Sequence, residues 1–284
     1  MINNYCGMWI LKKPTLSSAK KDIDVLIDHC RNLDHTHKVK LLQLYDDYDK
    51  GNGQVTDAQL LPLEDKADVI KRQYEKTYNT KNNNQLDYIR KELMQDVSKC
   101  PYCSINEPVQ LDHYMDKGKY GQLATCRLNL VPLCAKCNWL KSDTTYQDFT
   151  HPYYQVFPAV SFLVANCQVV KGRIVILFSL DKASIADNAL FNKLSSQMSH
   201  LQLNLRLRKC SQEFITNICM SCMAYTDPEL QFYLARLLME ITKMYGLNDW
   251  RTAIIRGLQS CPQFDIKIVN NLKSSISPIN GIGA

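Results

Sequence analysis

The feature that most constrains this chain is a pair of cysteine knuckles, Cys100-Pro-Tyr-Cys103 and Cys134-Ala-Lys-Cys137. A two-residue spacer lets both sulfurs of a knuckle turn toward one ion, and two knuckles supply the four thiolates of a closed tetrahedral zinc site. Residues 104–133 separate them, a longer gap than compact zinc ribbons use. An element of that length must fold between the knuckles while the ion holds both of its ends. Twelve cysteines would suggest disulfides in a small exported protein, but this chain has 284 residues. Its first residues, MINNYCGMWILKK, place a short apolar stretch ahead of the lysines, the reverse of a secretory signal. A third pair, Cys219-Met-Ser-Cys222, lies in an apolar helical run with no partner pair nearby and reads as core.

Composition bounds the rest. At 45% hydrophobic and 22% charged the chain can bury a core, which excludes wholesale disorder. No run approaches the roughly 18 apolar residues of a membrane span; residues 156–165 come nearest and are interrupted by Pro158 and Ser161. The expectation is a soluble, cytoplasmic protein. A net charge of +6 permits a polyanionic partner without demanding one.

Three regions follow from the pattern: residues 1–98, 99–150 and 151–284. The first is helical, with Ala19, Ile23, Leu26, Ile27 and Cys30 at helical spacing behind Pro14 and the potential caps Thr15, Ser17 and Ser18. A second stripe, Leu86, Ile89, Leu93, Met94 and Val97, follows a polar break at residues 79–85. In the third region, residues 167–170 and 174–178 flank Lys171-Gly172-Arg173 as a hairpin. A helix then starts at Asp227-Pro228, carries Leu230, Leu234, Leu237, Leu238 and Ile241, and stops at Gly246, and the tail from Ser274 is expected to fray.

Between the knuckles, residues 109–113 read as a strand ending at Asp112-His113. Residues 128–133 read as a second strand, and 135–142 as a short helix rising from the second knuckle. The local pattern CPYC…LDHYM.K..Y…NLVPLC..CN..K covers about 45 residues and resembles the HNH endonucleases, the His-Me finger or ββα-metal nucleases. The resemblance implies an α+β chain: a zinc-stapled, treble-clef-like ββα finger between a helical N-terminal region and a mixed, mostly helical C-terminal one. It also implies roles. His113 is the general base, Asp112 and Asn138 hold a catalytic divalent cation such as Mg²⁺, and Asn129 braces the active loop, while Cys100, Cys103, Cys134 and Cys137 hold structural Zn²⁺.

Those residue types suit phosphodiester hydrolysis. Imidazole can take a proton from water near neutral pH, and a hard cation with oxygen ligands can neutralise phosphate charge. Since adjacent strand residues face opposite ways, the strand must end or twist at Asp112-His113 for both to act. Six basic residues (Lys99, Lys117, Lys119, Arg127, Lys136, Lys141) against three acids between 99 and 141 fit a surface that tracks DNA phosphates. Where relatives carry prolines, Asp116 and Gly121 stand here, which predicts a looser loop.

With its helical lead-in and a His151-Pro-Tyr after the finger, the chain is similar to nuclease effectors of bacterial anti-phage systems, such as Septu-like nuclease subunits. These are paired with an ATPase, and the sequence shows no Walker loop of its own. The competing reading is a non-catalytic zinc-clamped module that binds nucleic acid or protein. A zinc deaminase is excluded because no histidine is followed by glutamate two residues on. The stretch from Asp47 lacks the sixth-position glycine (Asn52) and twelfth-position glutamate (Ala58) of a calcium loop. Asp34-His35-Thr36-His37 reads as a polar turn, His29 and His200 as ordinary helical histidines, and His151 as structural.

Overall fold

The computed structural model describes residues 8–78, 85–142 and 145–274. The polar break, save for Gln85, and the tail from residue 275 fall outside them, as do the first seven residues. The chain divides into two compact units, Met1–Phe157 with Asn192–Leu201, and Pro158–Phe191 with Gln202–Ala284. The lead-in helices and the finger lie in the first unit together with residues 151–157 and 192–201. Among the described residues no helix is long and apolar enough to cross a membrane.

The first unit begins with α1 (Leu16–His29) and α2 (His35–Lys50), packed on each other. Thr15 caps α1 by accepting the Ser18 N–H. Asp34 and His37 close a reciprocal capping box on α2, so the polar turn is an N-terminal stop signal in physical terms. After the short α3 (Asp57–Leu60) come α4 (Ala67–Tyr78) and α5 (Asp87–Met94), which buries Ile89 and Leu93 from the expected stripe. The core of this unit is aromatic: Trp9, Tyr45, Tyr48, Tyr102, Tyr114 and Phe149 are all fully buried.

The finger follows as β1 (Gln110–His113), β2 (Leu130–Leu133) and α6 (Ala135–Lys141). The strands pair antiparallel with Asp112 opposite Val131 and His113 opposite Leu130. Tyr114 N–H donates to the Asn129 carbonyl, so ladder bonds fall on even residues of β1. Pro132, opposite Leu111, then lacks an N–H only where it would point off the ladder.

In the second unit β3 (Leu163–Val170) and β4 (Arg173–Leu180) form the hairpin. Arg173 belongs to the strand and not to the turn. Lys171 and Gly172 alone turn the chain, both at positive φ (50° and 72°), the pattern of a two-residue type I′ turn whose twist matches the strands. Past α7 (Asn188–His200), most of which belongs to the first unit, come α8 (Leu203–Cys222), α9 (Asp227–Tyr245), α10 (Trp250–Gln259) and α11 (Ile266–Ser274) of the second. Thr226, one residue before the expected start, caps α9 in a box with Glu229, and Gly246 ends it at φ 91°. α10 lies against β3, where Gly257 lets the helix approach: a Cβ there would stand 2.1 Å from the Ala165 carbonyl oxygen. Cys219 and Cys222 are buried on α8.

Candidate metal centre and the polar cluster on β1

The two knuckles bring Cys100, Cys103, Cys134 and Cys137 into one buried tetrad, their sulfurs within 4.8 Å of one another. Cys103 and Cys134 Sγ are 3.8 Å apart. A tetrahedron with Zn–S bonds of about 2.3 Å has sulfur–sulfur edges of about 3.8 Å, so the spacing fits that ion. The local backbone explains the convergence. Ser104 takes a left-handed φ of 52° and returns its N–H to the Cys100 carbonyl, tightening the first knuckle. Cys134 is the N-cap of α6, and its sulfur accepts the Cys137 N–H at 3.4 Å. Hydrogen bonds from neighbouring thiols hold Cys134 well below the ordinary thiol range, while burial raises Cys100. The tetrad can bind a metal ion such as zinc.

β1 alternates, so its two faces carry different groups. Gln110 and Asp112 face α6, and Leu111 and His113 are buried on the other side. On the α6 face, Lys141 Nζ lies 2.9 Å from Asp112 Oδ2 and donates to the His113 carbonyl at 3.1 Å. Asn138 Nδ2 donates to Gln110 Oε1 at 2.7 Å. Asp112 Oδ2 is buried and is paired with the Lys141 ammonium. Burial raises the Asp112 carboxyl above the ordinary range, and Lys141 offsets part of this. A carboxylate on β1 and an amide on α6 thus stand on facing elements.

His113 sits on the opposite face. Its Nε2 lies 2.9 Å from the Ala124 carbonyl, and its ring meets Tyr74 edge-on at 4.3 Å. A carbonyl can only accept, so Nε2 carries the proton and the lone pair is on Nδ1. Burial depresses the imidazole to about 3, which keeps it neutral. β1 does end at His113, yet the two side chains still take opposite faces. The structure therefore brings Asp112, Asn138 and Lys141 together, and leaves the His113 ring without direct contact to them.

Asn129 is fully buried and engaged on every side. Oδ1 accepts Met115 N–H at 2.8 Å and the Tyr48 hydroxyl at 3.0 Å, and Nδ2 donates to the Met115 carbonyl at 3.0 Å. This ties the segment from 114 to 129 shut. Tyr48 O in turn lies 3.1 Å from His151 Nε2, and His151 Nδ1 accepts the Tyr153 N–H, which makes His151 a structural partner of the brace. The loop is closed rather than loose where Asp116 and Gly121 stand. Asp116 accepts the N–H groups of Gly118 and Lys119, and a Cβ at Gly121 would meet the Ala67 carbonyl oxygen at 2.8 Å.

Two of the six basic residues expected on a phosphate-tracking surface are buried instead. Arg127 makes a two-pronged pair with Asp22 (2.5 and 2.7 Å) and reaches Glu92 at 2.8 Å, and Lys141 is committed to Asp112. Lys117, Lys119 and Lys136 remain at least partly in solvent. Lys141 closes the CN..K end of the local pattern, and its place three residues after Asn138 puts both on one face of α6. Comparison with protein-family models, with curated proteins and with solved structures returned no match.

Proposed function

We propose that this chain is a metal-dependent HNH-type endonuclease that hydrolyses DNA phosphodiester bonds. The observation that carries the reading is the two-strand, one-helix unit closed by four cysteines, in which Asp112 on β1 and Asn138 on α6 stand on facing elements. In this reading the tetrad holds structural zinc, and Asp112 and Asn138 hold a divalent cation that supplies positive charge against the scissile phosphate. The chain's own residues do the rest. To act as the base, His113 must turn its ring from the Tyr74 side of β1 to the Asp112 side, where it would take one proton from a water as the water oxygen bonds phosphorus. The bond from phosphorus to the 3′ oxygen breaks, and that oxygen takes up a proton from solvent. Asn129 keeps the 114–129 loop, and with it Ala124, in place. Operation as the effector of an anti-phage defence system beside an ATPase subunit is carried over from the sequence resemblance.

Plasmid nicking, with and without added divalent cation, tests this. Wild type should nick only with the cation. His113→Ala should lose nicking by a factor of about 10² to 10⁴, the range of a lost general base, with zinc content unchanged. Asp112→Ala and Asn138→Ala should raise the cation concentration needed, and added cation should restore Asn138→Ala further because only a neutral ligand is missing. Nicking by His113→Ala at the wild-type rate would refute the assignment and favour the zinc-clamped binding module.

A further inference from the structure

The helix that carries Asn138 exposes a large aromatic ring beside it. Trp139 is 68% exposed, whereas the other two tryptophans, Trp9 and Trp250, are 1% and 5% exposed. Indole burial is strongly favourable, and a seven-residue helix in a metal-clamped finger could carry a polar residue there at no structural cost. Lys136, three residues earlier and so on the same face, places its ammonium 4.1 Å from the indole centroid. One ring face therefore carries a cation, and the other opens to water. Asn138 and Lys141, which meet Gln110 and Asp112, lie about 100° and about 160° around α6 from Trp139.

We propose that Trp139 is a nucleobase-stacking site, and that the substrate strand is single-stranded where it passes α6. A free ring face accepts any base plane, and the adjacent ammonium suits the phosphate of the same nucleotide. In an intact duplex the bases already stack on one another and offer no face, so this pairing selects unstacked nucleotides. The inference rests on the nuclease reading for its direction, since it names the strand state of that substrate, but it can be measured without cleavage.

The test uses the full chain with magnesium omitted, so that nothing is cut, and titrates tryptophan emission with a thymidine dodecamer or with the same strand annealed to its complement. Because Trp139 is the solvent-exposed indole of the three, quenching reports on it. The single strand should quench saturably, more weakly as salt rises, and the blunt duplex should not. Trp139→Leu should lose the quenching and bind the single strand about fivefold to a hundredfold more weakly, the range of one base–aromatic stack, while Trp139→Phe keeps most of the affinity. Equal zinc content in the variants shows that the finger is intact. Wild-type affinity in Trp139→Leu, or equal quenching by the duplex, overturns the stacking site. Nicking by wild type alongside that result leaves the nuclease reading standing, and loss of binding in Trp139→Leu by a protein that never nicks does the opposite.

Discussion

Removing the side chain of Asn129 should cost more stability than its small size suggests. Asn129→Ala deletes a group with no exposed surface that satisfies both backbone groups of the buried Met115, at 2.8 and 3.0 Å, and accepts from Tyr48. The Tyr48 hydroxyl still has His151, so its loss is small. The Met115 N–H and carbonyl are left with no partner, each costing about 1–3 kcal/mol when buried. Two such groups and a small void give about 3–5 kcal/mol, a third or more of a typical domain's stability. Urea unfolding of the zinc-loaded protein, with hydrogen exchange read over residues 114–129, measures it. The exposed Asn166→Ala on β3 is the control and should stay within about 0.5 kcal/mol of wild type. If Asn129→Ala also stays within 1 kcal/mol, roughly the scale of one ordinary hydrogen bond, the bracing account is wrong.

Three other expectations follow from the same contacts. Cys137→Ser should release the metal from the tetrad and unfold the finger, because structural zinc contributes on the order of 10 kcal/mol, whereas Cys219→Ser and Cys222→Ser should leave metal content unchanged; elemental analysis decides this. Lys141→Ala should destabilise the first unit by about 2–4 kcal/mol by stranding the Asp112 carboxylate, and millimolar Mg²⁺ should raise the melting temperature of this variant more than that of wild type. An equal response would argue against Asp112 as a cation ligand. Gly257→Ala should cost at least 1–3 kcal/mol, since the added methyl overlaps the Ala165 carbonyl and Cys167 Sγ; thermal unfolding near the wild-type midpoint would refute so close a helix–strand approach.

Local rules made some of this legible from sequence alone. Spacing announced the tetrad because two residues between sulfurs is a short-range constraint. Lys171-Gly172 announced the hairpin and Gly246 the end of α9, because positive φ is a property of single positions. Burial was not legible where the partner is distant. Arg127 looked like one more solvated cation, since Asp22 lies 105 residues away and no periodicity joins them. Tyr48 and Asn129, 81 residues apart, gave no sign of their bond, and His151, read as structural, gave no sign that Tyr48 was its partner. The opposite facing of Asp112 and His113 did follow from strand alternation, but which face each would take depended on Lys141 and Tyr74, on elements to either side.

The contacts of the finger reach well past its own ends. Trp9 N–H donates to the Pro101 carbonyl, Leu11 N–H to that of Pro152, and Tyr154 to Asp49 on α2, while Tyr48 and His151 complete the brace from outside. A fragment trimmed to the sequence between the knuckles and their helix would keep every thiol and both strands, yet lose the partners that hold Asn129. This cysteine-clamped unit is thus a piece of a larger interlocked body and not a cassette. Grafting it into another chain would transplant its metal clamp without the scaffold that keeps its loop closed.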